Sequence, residues 1–205
     1  MMKKAFLFTL AALCVSAAQA VTTSWTSSDT GSLAITGTGS FTVVYTFTLD
    51  SATTIDDILF TLTTDNSAGY GDGGDYLALS GDSSYTRLWV GTNAGKYYSK
   101  TPALNLQQGE HKLAFIVDRD VSDSTYYNLI VDDRTLHSSA TGLKFEGNAA
   151  YYTKEYTTLT ALQGGTLYFT NGVATAEEIA SVPEPTALAL LALGVAGLAL
   201  KRKVA

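Results

Sequence analysis

The densest group of oxygen donors in the chain is Asp65-Asn66-Ser67-Ala68-Gly69-Tyr70-Gly71-Asp72-Gly73-Gly74-Asp75, with Asp82 a little beyond it. Carboxylates and amides on a glycine-rich loop suit a hard cation. Calcium takes about six to eight oxygen ligands and accepts backbone carbonyls from pliable loops. The spacing lacks the closing glutamate of an EF-hand, so a calcium site here would rest on Asp72 and Asp75, with Asp65 alongside. Turns use the same residue types for their own backbone reasons. Tyr70 and Tyr76 flank the loop, each with an apolar ring and a polar tip that suit a sugar. The segment from Asp65 to Tyr76 is therefore where a ligand, calcium or glycan, is expected first.

Catalytic groups are poorly supplied. Glycoside hydrolysis needs two carboxylates across the scissile bond, about 5–5.5 Å apart for a retaining enzyme. The glutamates between Val21 and Val182 are Glu110, Glu146, Glu155, Glu177 and Glu178, and no E-x-D-x-x-E run is present. Asp118 with Asp120, and Asp132 beside Arg134, fall at strand ends and read as solvated hairpin tips. No G-x-S-x-G elbow occurs, and His111 and His137 are far apart in sequence. The one cysteine, Cys14, lies in the leader, so disulfides and cysteine metal sites are excluded from the remainder. The expectation is a non-catalytic protein. Aromatic side chains are plentiful instead. All twelve tyrosines lie beyond the leader, in pairs at Tyr97-Tyr98, Tyr126-Tyr127 and Tyr151-Tyr152. Paired tyrosines on a strand put one ring inward and one outward, and Trp89 could likewise offer a platform for a sugar.

The elements that must position these groups are strands. Phe41 to Leu49 alternates Phe41, Val43, Tyr45, Phe47 and Leu49 on one face with Thr42, Thr46 and Thr48 on the other. Ile58–Thr64 follows as a second strand. Tyr76–Leu79 and Tyr85–Val90 form a pair turning near Gly81-Asp82. Gly95–Lys100 is a short strand. His111–Asp118 and Tyr126–Asp132 are long ones joined by a polar turn. Arg134–His137, Tyr156–Leu162 and Thr166–Thr170 complete the set, and only Ala174–Ala180 has helical character. Short strands at this spacing predict an all-β fold, an antiparallel β-sandwich. From Val21 to Val182 there are eight Lys and Arg against eighteen Asp and Glu, a net charge of −10. Such a surface argues against nucleic acid and anionic headgroups as partners.

Both ends carry addresses. Lys3-Lys4, an apolar run Ala5–Ala18 and the small-x-small site Ala18-Gln19-Ala20 make residues 1–20 a signal peptide for signal peptidase, cleaved before Val21. Leu13 before Cys14 rules out lipidation there. At the other end Pro183-Glu184-Pro185 precedes an uncharged run, residues 186–200, and then Lys201-Arg202-Lys203. The run is a short single transmembrane helix, below the roughly 20 residues of a comfortable span, with its basic cluster snorkelling on the cytoplasmic side. The division expected is a signal peptide over 1–20, one β-sandwich domain over 21–181 and a sorting segment over 182–205.

The tail resembles the PEP-CTERM sorting signals of Gram-negative bacteria, on the order Pro183-Glu184-Pro185, apolar helix, basic end. The resemblance implies recognition by an exosortase, a transient stay in the inner membrane and transfer to the cell surface or extracellular matrix. The centre of the chain resembles laminin-G-like, concanavalin A-like jelly-roll domains. The residues carrying this are Gly109-Glu110-His111-Lys112-Leu113 through Asp118, Tyr127 through Asp133, Phe41 through Phe47, Leu167-Tyr168-Phe169 and Ala174 through Ala180. Glu110 stands where that group has Trp, and Asp133-Arg134 where it has Gly. The resemblance implies a jelly-roll fold, one that hosts lectins, glycosidases and adhesion modules alike, and the leading expectation is a non-catalytic, lectin-like surface or matrix protein with polysaccharide as its candidate ligand. A polysaccharide hydrolase and a purely structural surface protein are the alternatives.

Overall fold

The computed structural model describes residues 21–25, 31–34, 39–54, 60–63, 76–81, 84–92, 95–119, 125–132, 134–141, 149–153 and 162–183. Ala18, Ala20, Asp65, Tyr70, Asp72, Asp75, Glu184, Pro185, the run 186–200 and Lys201-Arg202-Lys203 lie outside them, as does most of the strand expected at Tyr156–Leu162. Among the described residues no helix is long and apolar enough to cross a membrane.

The strands in chain order are β1 (Val21–Trp25), β2 (Gly31–Ala34), β3 (Phe41–Leu49), β4 (Thr53–Thr54), β5 (Phe60–Thr63), β6 (Tyr76–Gly81) and β7 (Tyr85–Thr92). They continue as β8 (Gly95–Pro102), β9 (Asn105–Leu106), β10 (Gly109–Asp118), β11 (Thr125–Val131), β12 (Arg134–Thr141), β13 (Ala149–Thr153) and β14 (Leu162–Asn171), and α1 (Ala176–Ser181) follows. Two six-stranded sheets form, in the orders β1-β14-β3-β10-β11-β12 and β2-β13-β5-β6-β7-β8, and β4 pairs with β9. Every described pairing is antiparallel. The chain is an antiparallel β-sandwich, as the strand pattern predicts.

The alternation on β3 fixes which side is inside. Phe41, Val43, Tyr45, Phe47 and Leu49 join Phe115, Tyr127, Leu129 and Phe169 from their own sheet, with Leu62, Leu77, Leu79, Leu88 and Val90 facing them from the other. Each such side chain removed from water contributes about 1.5–3 kcal/mol, and without a disulfide these apolar groups must hold the sheets together. The rings interlock: Tyr45 stacks on Phe47 at 4.6 Å, and Phe41 meets Phe169 at 5.7 Å.

The second face of β3 is buried as well. Val44, Ala114, Ile116 and Tyr168 form a smaller cluster there, covered by Ile179 of α1. Thr42 lies under the approach to that helix, accepting from the Ala174 amide at 2.9 Å while donating to the Gly172 carbonyl at 3.0 Å. Thr175 caps α1, its hydroxyl accepting from the Glu178 amide while the Glu178 carboxylate accepts from the Thr175 amide. This reciprocal box satisfies donors that a short helix leaves unpaired.

Two close approaches require glycine. A Cβ on Gly91 would lie 2.0 Å from the Tyr76 ring, and one on Gly165 would lie 2.4 Å from the Tyr45 ring and 2.5 Å from the Thr46 carbonyl. Gly165 ends the register shift by which β14 adjusts to β3.

Candidate functional site

On β7, Leu88 and Val90 enter the core, so Tyr85, Arg87, Trp89 and Gly91 face outward by the period-two rule. The ladder places Trp89 between Ala78 of β6 and Tyr98 of β8, and Arg87 between Ser80 and Lys100. The Trp89 indole N–H donates to Ser80 Oγ at 2.8 Å, which fixes the ring plane. Tyr98 lies against that ring, with centroids 4.5 Å apart and planes tilted by 36°. Lys100 Nζ sits 5.1 Å from the Tyr85 ring centroid and 5.5 Å from that of Tyr98, both within cation–π range. Tyr85 and Tyr98 are 45% and 47% exposed, among the largest apolar surfaces of the described residues. Deeper in the same face, over β5 and β6, Thr61, Thr63, Tyr76 and Ala78 are buried. The face is thus covered over β5 and β6 and open over β7 and β8.

Such a surface can do two things chemically. Exposed rings held by a hydrogen bond and a neighbouring ring offer C–H groups of a sugar a flat apolar contact at little ordering cost. The ammonium group beside them can hold an oxygen acceptor by a charge-assisted hydrogen bond. Among the described residues this surface carries no pair of carboxylates.

A concave feature lies beside β9 and the start of β10. It is a cleft of about 120 Å³ bordered by Leu104, Leu106, Gln107, His111, Asp132 and Arg134. His111 is buried, its Nε2 2.7 Å from the Gln107 carbonyl oxygen and its Nδ1 3.2 Å from Asp132 Oδ2. Both ring nitrogens face acceptors within the protein, so neither is offered to a substrate as a base. Asp132 Oδ1 accepts from the Lys112 amide at 3.0 Å, and the Asp132 amide donates to the Lys112 carbonyl at 2.7 Å. Asp132 holds φ 48°, and these bonds compensate a left-handed backbone that side chains usually avoid. The hairpin tip expected here to be merely solvated is a latch between β10 and the end of β11. Asp118 is likewise engaged, accepting from Ser40 Oγ at 3.2 Å.

Of the ligand residues expected from sequence, Asp65, Tyr70, Asp72 and Asp75 fall outside the described residues. Tyr76 is described, and it differs from expectation: its ring packs over Gly91 and is 3% exposed, so it offers no open platform. Burial raises its hydroxyl pKa above the usual tyrosine value. The tyrosine pairs behave as strand geometry requires where they are described, with Tyr127 buried and Tyr126 exposed. Lys100 and Arg87 were not legible as site residues, because their place beside Trp89 and Tyr98 depends on the β6-β7-β8 register. Pro183 is the first residue beyond a docked segment. Lys112 Nζ donates to the Ala180 carbonyl at 3.1 Å and to the Val182 carbonyl at 2.9 Å. Among the described residues no group of three or more His, Cys, Asp or Glu is disposed to hold a metal.

Comparison with known proteins adds two findings. Residues 181–203 match the PEP-CTERM protein-sorting motif. The NanB sialidase from Streptococcus pneumoniae, in complex with 2-[(3-chlorobenzyl)ammonio]ethanesulfonate, superposes with a TM-score of 0.52 at 18% identity, covering 80% of this chain and 28% of that one. Its K499G mutant gives 0.51 at 19% identity over the same shares. The Emp47p carbohydrate recognition domain gives 0.46 at 14% identity, covering 75% of this chain and 89% of that one. No curated protein sequence matches the chain. The NanB likeness shows the sandwich fold, and this chain spans only about 28% of the NanB length.

Proposed function

We propose that the protein is exported through the signal peptide at 1–20 and handed by an exosortase, at its PEP-CTERM tail, to the cell surface or extracellular matrix. There the domain over 21–181 acts as a non-catalytic, lectin-like sandwich that binds polysaccharide. The sorting half of this reading is supported by the motif at residues 181–203. The binding half is carried by one observation: the Trp89–Tyr98 ring pair, exposed at Tyr98 and fixed by the bond from the indole to Ser80. The loop from Asp65 to Asp75 stays in the proposal as a calcium site through Asp72 and Asp75. It joins β5 to β6, on the sheet that bears the aromatic pair. Calorimetry at millimolar calcium tests that part, and no heat of binding would end it.

The aromatic site is tested by retardation of the purified chain in gels containing each of a panel of polysaccharides, with reducing-end release followed in parallel. The expected outcome is retardation without turnover, weakened about tenfold or more by Trp89→Ala, as for the loss of one stacked sugar contact. Release of reducing ends would instead favour a polysaccharide hydrolase. Neither retardation nor release would leave a structural surface protein.

A further inference from the structure

The charges on the described strands around the aromatic pair run against that of the chain as a whole. Between Val21 and Val182 the acidic residues outnumber the basic ones by ten. Yet β5, β6, β7 and β8 contain Arg87, Lys96 and Lys100 and not one Asp or Glu. All three cations belong to the outward-facing set of the sheet, since Leu88 and Val90 point inward and Tyr98 shares the face of Trp89. Edge-strand lysines can serve simply to discourage strand addition, and β8 is an edge. That role does not account for the arrangement here. Arg87 lies on β7, inside the sheet, and the Lys100 ammonium is drawn over two exposed rings.

We propose that the ligand of this face is an acidic polysaccharide, a polymer bearing carboxylate or sulfate groups, with rings stacked on Trp89 and Tyr98 and anionic groups held by Lys100, Arg87 and Lys96. This rests on the polysaccharide reading above and names its class. Arg87 and Lys100 are opposite one another across the β7–β8 ladder, so two cationic side chains adjoin on the outward face. Lys96 is four residues from Lys100 along the same extended strand, about 13 Å by the strand rise. That separation exceeds one sugar ring, so a polymer fits the row of cations and a monosaccharide does not. A row of cations on an otherwise acidic chain also favours one orientation of a polyanion. The −10 charge of residues 21–182 as a whole disfavours the long phosphate backbone of a nucleic acid, which needs an extended basic track.

The test uses the full chain in detergent against polymers of matched length: a neutral glucan, polygalacturonate, dextran sulfate and single-stranded DNA. The proposal expects the two acidic polysaccharides to bind about tenfold or more tightly than the neutral one, with affinity falling as salt rises. Lys100→Gln together with Lys96→Gln should remove that advantage and bring the acidic and neutral affinities together. Both side chains are exposed, so the substitutions spare the core. Equal binding of neutral and acidic glycans, or no effect of the lysine substitutions, overturns the acidic class and leaves the lectin reading standing. Binding of DNA as tight as that of polygalacturonate overturns the assignment to polysaccharide. Binding of no polymer at all removes the lectin reading with it.

Discussion

Tyr76 shows how one buried hydroxyl sets a pH limit. Its pKa is raised by desolvation, because the phenolate would lose its water in the folded state. The folded value lies above the unfolded one, near 10, so the contribution of Tyr76 is fully present below that pH. It is lost as pH rises through the folded value, since unfolding then releases a proton. The stability difference between the native chain and Tyr76→Phe should therefore stay constant from neutral pH to about 10 and shift in favour of the phenylalanine variant above it. Denaturant unfolding at a series of alkaline pH values reads this directly, and a difference independent of pH would refute it. Asp132 illustrates a second residue-scale balance. Asp132→Ala and Asp132→Gly both lose the contacts to His111 and the Lys112 amide. Only alanine must also endure φ 48° without local hydrogen bonds. Alanine should be the less stable of the two by about 1 kcal/mol, measured by the unfolding midpoint.

At the scale of the element, α1 is informative because six residues cannot form a stable helix alone. Three things hold it: the capping box at Thr175, the burial of Ile179 and the bonds from Lys112 Nζ to the Ala180 and Val182 carbonyls. Thr175→Ala should cost about 1 kcal/mol of global stability and open the helix locally by more. Amide exchange at Ile179 and Val182, whose N–H groups donate to the Thr175 and Ile179 carbonyls, provides the readout. Faster exchange at these two amides with the β3 amides unchanged is expected; unchanged exchange would mean that the box contributes nothing. The consequence reaches the tail, because Pro183 begins where this docked segment ends. The sorting motif is tied to the folded surface with no slack before its first proline.

For the whole molecule, processing at both ends is the decisive expectation. The protein recovered from its host should have the mass of a chain beginning at Val21 and lacking the segment beyond the Pro-Glu-Pro region, plus a surface adduct, and should be found outside the inner membrane. A mass that retains residues 186–205 in the inner membrane would overturn the sorting proposal and leave the sandwich unaffected. The distribution of charge matters at this scale too. A domain of −10 that keeps one sheet face free of described carboxylates presents a single favourable orientation to a polyanion.

The amino-acid sequence by itself determined the sandwich, because alternation such as that of Phe41–Leu49 is a local signature of a strand with an apolar face. It also determined the pairing of β6 with β7 and of β10 with β11, and the helix whose cap Thr175 is three residues before Glu178. The tail motif was legible for the same reason, its residues being contiguous. β1, β2 and β13 were not legible. Gly31-Ser32-Leu33-Ala34 and Ala149-Ala150-Tyr151-Tyr152-Thr153 have little alternation of their own and become strands by pairing with partners distant in sequence. Only the tertiary structure decided that Tyr76 lies under cover, that Asp132 latches His111, and that Lys112 clamps carbonyls 68 and 70 residues away. It alone set Lys100 beside Tyr85 and Tyr98, and Tyr98 against Trp89, because ladder register is a property of two strands together and a slip of one residue would turn those rings into the core.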